Sequence, residues 1–310
     1  MVMKIQAIIN KNAGSGKALD AMFALKDAFG DNGLRIEETL CRGHAGQIAR
    51  EAIADGCELI IAVGGDGTVN EIANAIIGSN ARLGIVPCGK ANDLAAQHGI
   101  SCDPETAVKI IHAGHTRNID CIRVNGYHYL TSGGIGLGTD VIKTVERMLK
   151  GGRLSKWLVR KLGNGIYSLG IIRILMRKNI IRHAISLSNG HKNHDSCVLS
   201  LVVGNQPILA KYFRVLPSAE NNDGKFDVCV IKADGSRFCV AFAVLQTIRG
   251  RHKSSSSISQ ARADRLIIKS ARPLRFFADG EIIMQDKYFE IQIIPRAINI
   301  LTPKENGGGS

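Results

Sequence analysis

A chain of 310 residues that is 45% hydrophobic and 22% charged has the composition of a globular protein and the length for two ordinary cores. Its eight cysteines, at 41, 57, 88, 102, 121, 197, 229 and 239, form no Cys-x-x-Cys pair, which argues against a disulfide framework and for reduced, mostly buried thiols. No apolar run reaches 18 residues free of charge, and the opening MVMKIQAIIN has neither a basic n-region ahead of an apolar run nor a cleavage site; a cytoplasmic protein is expected, and its net charge of +13 calls for anionic partners.

The first part reads as strands and helices in alternation. Short apolar runs at 4–10 (KIQAIIN), 34–40 (LRIEETL), 58–65 (ELIIAVGG) and 82–87 (RLGIVP) each lead through a Gly-rich or polar turn into a helical pattern. Gly33 and Gly78 stop two of the helices, Asp103-Pro104 opens another, and Thr68 with Glu71 makes a Thr-x-x-Glu capping box. This rhythm predicts an α/β domain over residues 1–123, built on a parallel sheet with helices on both faces and binding its ligands beyond the carboxyl ends of the strands.

Past residue 123 the rhythm becomes one of hairpins. Asn125-Gly126 and Asn189-Gly190 are two-residue turn signals, and strand-like runs follow at 226–231, 264–270, 274–280 and 288–294, so residues 124–297 are read as a mainly antiparallel domain. A helical stretch at 236–250 and a polar segment, HKSSSSISQ at 252–260, expected as a mobile loop, lie among them; the tail, about 298–310, is free to return to the first domain. The charge divides at the same place. Residues 1–123 carry 12 Lys+Arg against 14 Asp+Glu, net −2, while residues 124–310 carry 28 against 13, net +15.

The sharpest chemical signal is VGGDGTVNE at 63–71, where a buried strand turns into a helix. Gly64, Gly65 and Gly67 let the backbone approach a phosphate, the helix N-terminus aims N–H groups at the anion, and Asp66 offers a carboxylate to Mg²⁺ or an ordered water. The plain alternative is a tight turn with a solvated aspartate. Two more loops, Asn10–Lys17 after the first strand and Pro87–Asp93 after the fourth, should converge on the same sheet edge. Neither is a Walker motif, and GGIGLG at 133–138 fails the dinucleotide pattern because Thr139 takes the last Gly position.

The ordered series NKNAGSGKA, GGDGTVNEIANAI, PCGKANDLA, SGGIGLGTDV, NNDGKFDVCVI and ADGE, over residues 10–281, resembles the diacylglycerol kinase catalytic-domain superfamily, which also holds sphingosine, ceramide and bacterial lipid kinases. The resemblance implies a first domain like that of NAD kinase, a β-sandwich for the second, and ATP with Mg²⁺ as the donor system. It implies that Gly64, Gly65, Asp66, Gly67, Thr68, Val69 and Asn70 form the nucleotide loop, with Asn10 and Thr39 as further ATP contacts. Lys90, Asn92 and Asp93 fall on the family's Gly-Thr-x-Asn-Asp motif, and Glu281, in Asp279-Gly280-Glu281, takes the place of the catalytic carboxylate beside Asp66. The family's Mg²⁺ site falls on Asp223, with backbone carbonyls from Glu220 and Lys225, and Asp120 is a weaker candidate for a water-linked network with Asp66 and Asp93. Two residues depart from the pattern: Lys11 stands where Pro is usual, and Lys90 replaces the usual Thr, exchanging a hydroxyl for a point charge.

The chemistry implied is phosphoryl transfer from ATP to a lipid hydroxyl on diacylglycerol, a sphingoid base, ceramide or a related alcohol. Residues 147–182 hold ten Lys/Arg, no acid and the only Trp, and suit a headgroup layer with Trp157 and Leu158 inward; a pair of amphipathic helices with a solvated basic face is the alternative. A peripheral membrane partner is thus expected and nucleic acid is not, since aromatic residues are only 5% and no RNA- or DNA-reading motif occurs. Edge strands leave a homodimer open. The pairs His112/His115 and His191/His194 lack the companions of a metal site. Competing readings are a soluble small-molecule kinase such as an NAD kinase, and a nucleotide-sensing membrane adaptor with weak catalysis.

Overall fold

A computed structural model describes residues 3–13, 16–30, 33–150, 165–176, 181–188, 193–209, 213–233, 237–251 and 257–304. The chain forms two compact units, Met1–Cys121 together with Pro295–Ser310, and Ile122–Ile294.

In the first unit β1 (Ile5–Ile9), β2 (Leu34–Glu38), β3 (Leu59–Gly64) and β4 (Arg82–Pro87) alternate with α1 (Lys17–Phe29), α2 (His44–Ala54) and α3 (Asp66–Ile76), and α4 (Asp93–Gln97) and α5 (Pro104–Ala113) follow. The strands pair in parallel in the order β4-β3-β1-β2, with Ile5 across from Leu34 on one side and from Leu59 on the other. β1 and β3 are buried at every position, whereas β2, at the edge, is mostly not. A continuous apolar run such as LIIAV is what a strand covered on both faces requires. α1 packs with α5, and α2 with α3. The end of β13 (Glu281–Leu301) adds in parallel beside β4, Asn299 against Arg82 and Ile300 against Leu83.

Helix punctuation follows the sequence in part. Asp103 caps α5, its Oδ2 accepting the Thr106 N–H at 2.9 Å and the Thr106 hydroxyl at 2.6 Å. α1, however, stops at Gly30 (φ 65°), ahead of Gly33. The Thr-x-x-Glu box does not form either. α3 starts at Asp66 and puts Thr68 inside its first turn, so the Glu71 carboxylate accepts the Gly43 N–H at the start of α2 instead, at 2.8 Å.

β5 (Thr116–Val124) runs into the second unit, which continues with β6 (Tyr127–Tyr129), β7 (Ser132–Gly136), α6 (Leu137–Leu149), α7 (Gly165–Leu175), β8 (His183–Ser188), β9 (Asn193–Gly204), β10 (Phe226–Lys232), α8 (Arg237–Ile248), β11 (Ile258–Ala263) and β12 (Arg265–Ala278). Its strands pair antiparallel in the order β11-β10-β9-β7-β12-β13, with β8 between β9 and the first half of β12. Alternation along β10 shows the two faces of this sheet: Phe226, Val228 and Val230 enter one core, and Cys229 and Ile231 enter another that α6, α7 and α8 cover.

Several expectations are corrected here. The runs at 264–270 and 274–280 are one strand, β12, whose register shifts between Lys269 and Leu274. Residues 258–260, expected in a mobile Ser-rich loop, pair with β10 as part of β11; the rest of that loop's core, 252–256, lies outside the described residues. So do Gly14, Ser15, Trp157, Leu158, Asn189, Gly190 and His191. The cysteines are not mostly buried: Cys41, Cys102, Cys197 and Cys239 are exposed. Burial raises the thiols of Cys57, Cys88 and Cys229, the last to about 12. No described helix is long and apolar enough to cross a membrane.

Candidate active site

Four loops leave the carboxyl ends of the parallel strands, and the polar residues singled out in the sequence sit on them. Asn10 follows β1; its backbone N–H donates to the Val63 carbonyl at 2.9 Å, and its side-chain Nδ2 donates to Thr68 Oγ1 at 3.2 Å. Thr39 follows β2 and donates its N–H to the Ile9 carbonyl at 2.9 Å. The turn after β3 carries Gly65 to Asn70, and the loop after β4 carries Gly89 to Asp93. Asn10, Thr39 and Thr68 are thereby tied into one ridge across the ends of β1, β2 and β3. Val69 is buried in α3, and the Asn70 Oδ1 accepts Asn74 Nδ2 at 2.8 Å.

Asp66 joins the third and fourth loops. Its Oδ2 accepts the Asn92 N–H at 2.8 Å and its Oδ1 the Asp93 N–H at 2.7 Å. Asn92, held at φ 52°, in turn closes its own loop, accepting the Gly89 N–H and donating to the Gly89 carbonyl, both at 2.9 Å. These bonds are charge-assisted where the carboxylate is the acceptor, so Asp66 is a strong clip between two loops distant in sequence. Lys90, on the fourth loop, is exposed.

The glycines divide by purpose. A Cβ on Gly89 would lie 2.5 Å from Gly65 Cα, so the two loops touch backbone to backbone, whereas a Cβ on Gly67 would meet nothing within 4 Å. Gly64 is also taken up internally, its Cβ position 2.6 Å from Thr68 Oγ1. Of the three glycines read as phosphate-facing, only Gly67 presents an open side, at the first turn of α3, where Gly65 supplies no side-chain cap. The run at 133–138 serves packing as well: a Cβ on Gly134 (φ 153°) would lie 2.0 Å from the Leu201 carbonyl oxygen across β7–β9.

In the second unit Glu281 opens β13, opposite Ala278. The two residues between them, Asp279 (φ 46°) and Gly280 (φ 84°), are both left-handed, as a type I′ hairpin turn requires. Asp279 pins this turn. Its Oδ1 accepts the Thr131 N–H at 3.0 Å and hydroxyl at 2.5 Å, its Oδ2 accepts the Leu130 N–H at 3.2 Å, and its own N–H donates to the Ser132 carbonyl at 3.0 Å. No sequence pattern reaches from Asp279 to the loop before β7, about 150 positions away, where its partners stand.

The Asn222-Asp223-Gly224 turn lies elsewhere on the same sheet. It leads into β10, and along one row of registers Glu281 is followed by Ala278, Gly133, Val203 and Val228, four inter-strand steps. Asp223 Oδ1 accepts the Lys225 N–H at 3.0 Å, and its Oδ2 is paired with Arg262, whose Nε also stands 3.6 Å from Asp227 Oδ2. Burial, and after it the Glu220 carboxylate, push the Asp227 carboxyl up to about 6. Asp227 Oδ2 is buried without a hydrogen-bond partner. The carboxylates of Glu220, Asp223 and Asp227 outnumber the one guanidinium, Arg262, paired with them, and that excess of hard oxygen donors fits Mg²⁺. No cluster of three or more His, Cys, Asp or Glu side chains among the described residues makes a metal site by itself, so a cation here would draw on backbone carbonyls.

Asp120, buried on β5, gives its Oδ1 to the Arg296 N–H at 2.8 Å and so fastens the returning end of β13. His112 packs at a tilt against Phe29 with ring centroids 5.4 Å apart, a structural role.

Residues 4–124 match the diacylglycerol kinase catalytic domain, and residues 152–302 match the YegS C-terminal NAD kinase beta sandwich-like domain. A protein of Yersinia pseudotuberculosis named "Probable lipid kinase YegS-like" is 30% identical over 278 residues, which cover 87% of each chain. The chain belongs to this lipid kinase family. A diacylglycerol kinase of Bacillus subtilis is 26% identical over 86% of the chain and 85% of its own length. A crystal structure of a Bacillus anthracis protein assigned as a diacylglycerol kinase superposes with a TM-score of 0.80 at 25% identity, covering 97% of each chain. Membership makes the chain an enzyme of the kinase class with a two-domain fold and a C-terminal β-sandwich, and the glycine-rich turn before α3 lies within the matched catalytic domain.

Proposed function

We propose that this lipid kinase family member transfers the γ-phosphoryl group of ATP, with Mg²⁺, to the hydroxyl of a membrane lipid such as diacylglycerol, a sphingoid base or ceramide. The observation that carries the donor half is the convergence of Asn10, Thr39, the Gly65–Asn70 turn and the Gly89–Asp93 loop at the carboxyl ends of β1 to β4. The first-turn N–H groups of α3 and the open side of Gly67 receive phosphate oxygens there, and Lys90 adds a point charge where the family usually has a hydroxyl. Asp66 acts as a positioning residue, because its two oxygens hold the Asn92 and Asp93 N–H groups.

Glu281 is the general base. It takes the acceptor hydroxyl proton as the new O–P bond forms and the bond from the γ-phosphorus to the bridging oxygen of ADP breaks. Asp279 fixes that carboxylate's position through the hairpin turn. Asp223 and the backbone at Glu220 and Lys225 hold Mg²⁺, which supplies positive charge to an acidic corner. The Asp223 turn leads into β10, four strand pairings from Glu281 at the start of β13. The excess of basic residues after position 123 holds the enzyme at anionic lipid.

The test is transfer from labelled ATP to a panel of lipids in detergent mixed micelles, with the parent and Glu281→Ala compared. A labelled lipid that is lost at least about a thousandfold in the variant is expected, in line with removal of a general base. A parent that binds ATP and is folded but labels no lipid would overturn the reading.

A further inference from the structure

α8 has two apolar faces, and the core accounts for one. Ala243, Val244 and Thr247 are buried against the sheet, with Ala243 and Val244 in the core shared with α6 and α7. Phe238, Phe242 and Leu245 point the other way and are 87%, 49% and 42% exposed. At 100° per residue these three and Arg249 fall within about 60° of one another, opposite the buried face. A helix that covers a core normally turns charge toward water; α8 turns two phenylalanines and a leucine. α7 repeats the feature in the same core, with Ile166 and Ile174 buried while Ile172 and, just past the helix, Met176 are 53% and 75% exposed.

Charge says what covers this surface. Neither α7 nor α8 contains an acidic residue, and the chain leaves α8 through Arg249 and Arg251. A second copy in an isologous contact would bring the same acid-free face, with no carboxylate on it to meet Arg249. An anionic bilayer surface instead offers phosphates to the arginines and an apolar layer to the rings. We infer that the outer face of α8 is a membrane-docking surface, inserting Phe238, Phe242 and Leu245 among the acyl chains of anionic phospholipid while Arg249 meets the headgroups. This rests on the lipid kinase reading and adds to it the element that seats the enzyme on its substrate phase. The basic segment considered from sequence, 147–182, is a different stretch of chain except where it overlaps α7.

The experiment is co-sedimentation of the full chain, without ATP, with vesicles of phosphatidylcholine alone and of phosphatidylcholine mixed with phosphatidylglycerol, at low and high salt. The parent is expected to partition onto the anionic vesicles. The double variant Phe238→Ser/Phe242→Ser is expected to bind about tenfold more weakly, and Phe238→Leu/Phe242→Leu to recover most of the loss. Equal thermal unfolding midpoints and retained transfer in detergent mixed micelles would show that the variants are folded and that the catalytic reading stands separately. Equal partition of parent and serine variant would overturn the inference, as would a parent that ignores anionic vesicles. A serine variant that loses self-association in analytical ultracentrifugation, with vesicle binding unchanged, would assign the face to a second copy instead.

Discussion

Gly67 and Gly89 carry the same letter in adjoining loops for opposite reasons. Gly89 lacks a side chain because Gly65 is already there, its Cα 2.5 Å from where a Cβ would stand; Gly67 lacks one beside open space. Gly89→Ala should push the two loops apart and cost about 1–3 kcal/mol, read as a lower midpoint in urea unfolding. Gly67→Ala should leave stability unchanged or raise it by up to about 1 kcal/mol, since the residue is already helical. The methyl added by Gly67→Ala would face the incoming phosphate, so ATP affinity by calorimetry should fall about tenfold or more. A Gly67→Ala protein that binds ATP like the parent would remove that residue from the phosphate site. Sequence alone places both glycines in candidate loops and cannot tell them apart, because the difference is the presence of a neighbour from another loop.

At the scale of elements, the Asp279 turn shows how a hairpin is aimed. A type I′ turn closes β12 onto β13 by local conformation, but the bonds from Asp279 to Leu130 and Thr131 fasten it to the loop before β7. Asp279→Ala leaves buried and part-buried donors unmet and should cost about 2–3 kcal/mol of unfolding free energy. It should lower kcat about a hundredfold with little change in the KM for ATP, because the nucleotide loops belong to other strands. Restoring only the turn preference, with Asp279→Asn, should recover part of the stability and little of the rate. Steady-state kinetics of both variants decide this. The aim of this hairpin is not legible in the sequence, since partners some 150 positions apart leave no trace in local pattern.

Across the whole molecule, two buried groups pull stability in opposite directions with pH. Burial, reinforced by Arg117, lowers His98 in the first unit from 6.5 to about 4. Above pH 6.5 the folded and unfolded chains both hold it neutral; as pH falls below that, the unfolded chain takes up the proton first and stability is lost toward pH 4. Asp227 in the second unit is raised from 3.8 to about 6 by burial and Glu220. Its contribution is whole below pH 3.8 and is lost as pH rises to 6, because the unfolded chain ionises first. Between pH 7.5 and pH 5, parent protein should therefore lose about 2 kcal/mol relative to His98→Gln. Between pH 4 and pH 7 it should lose about 1–2 kcal/mol relative to Asp227→Asn, the smaller figure reflecting partial compensation by Arg262. Urea unfolding of the three proteins across this range checks both slopes.

What the sequence by itself determined is whatever short-range chemistry writes into neighbouring letters. Apolar runs such as LIIAV mark strands sheltered on both faces, Asp103-Pro104 marks a helix start, Asn125-Gly126 marks a turn, and six motifs in fixed order mark the family. The tertiary structure alone decided the long-range pairings. It sent both Asp66 oxygens to Asn92 and Asp93, gave the Glu71 carboxylate to Gly43 instead of its own helix cap, and drew β11 out of an expected loop. It also set Glu281 and the Asp223 turn four strands apart and turned one apolar stripe of α8 away from the core. The physical reason is the same in each case: a carboxylate or an apolar ring has many equivalent partners available in composition, and only the packed fold decides which one lies within reach.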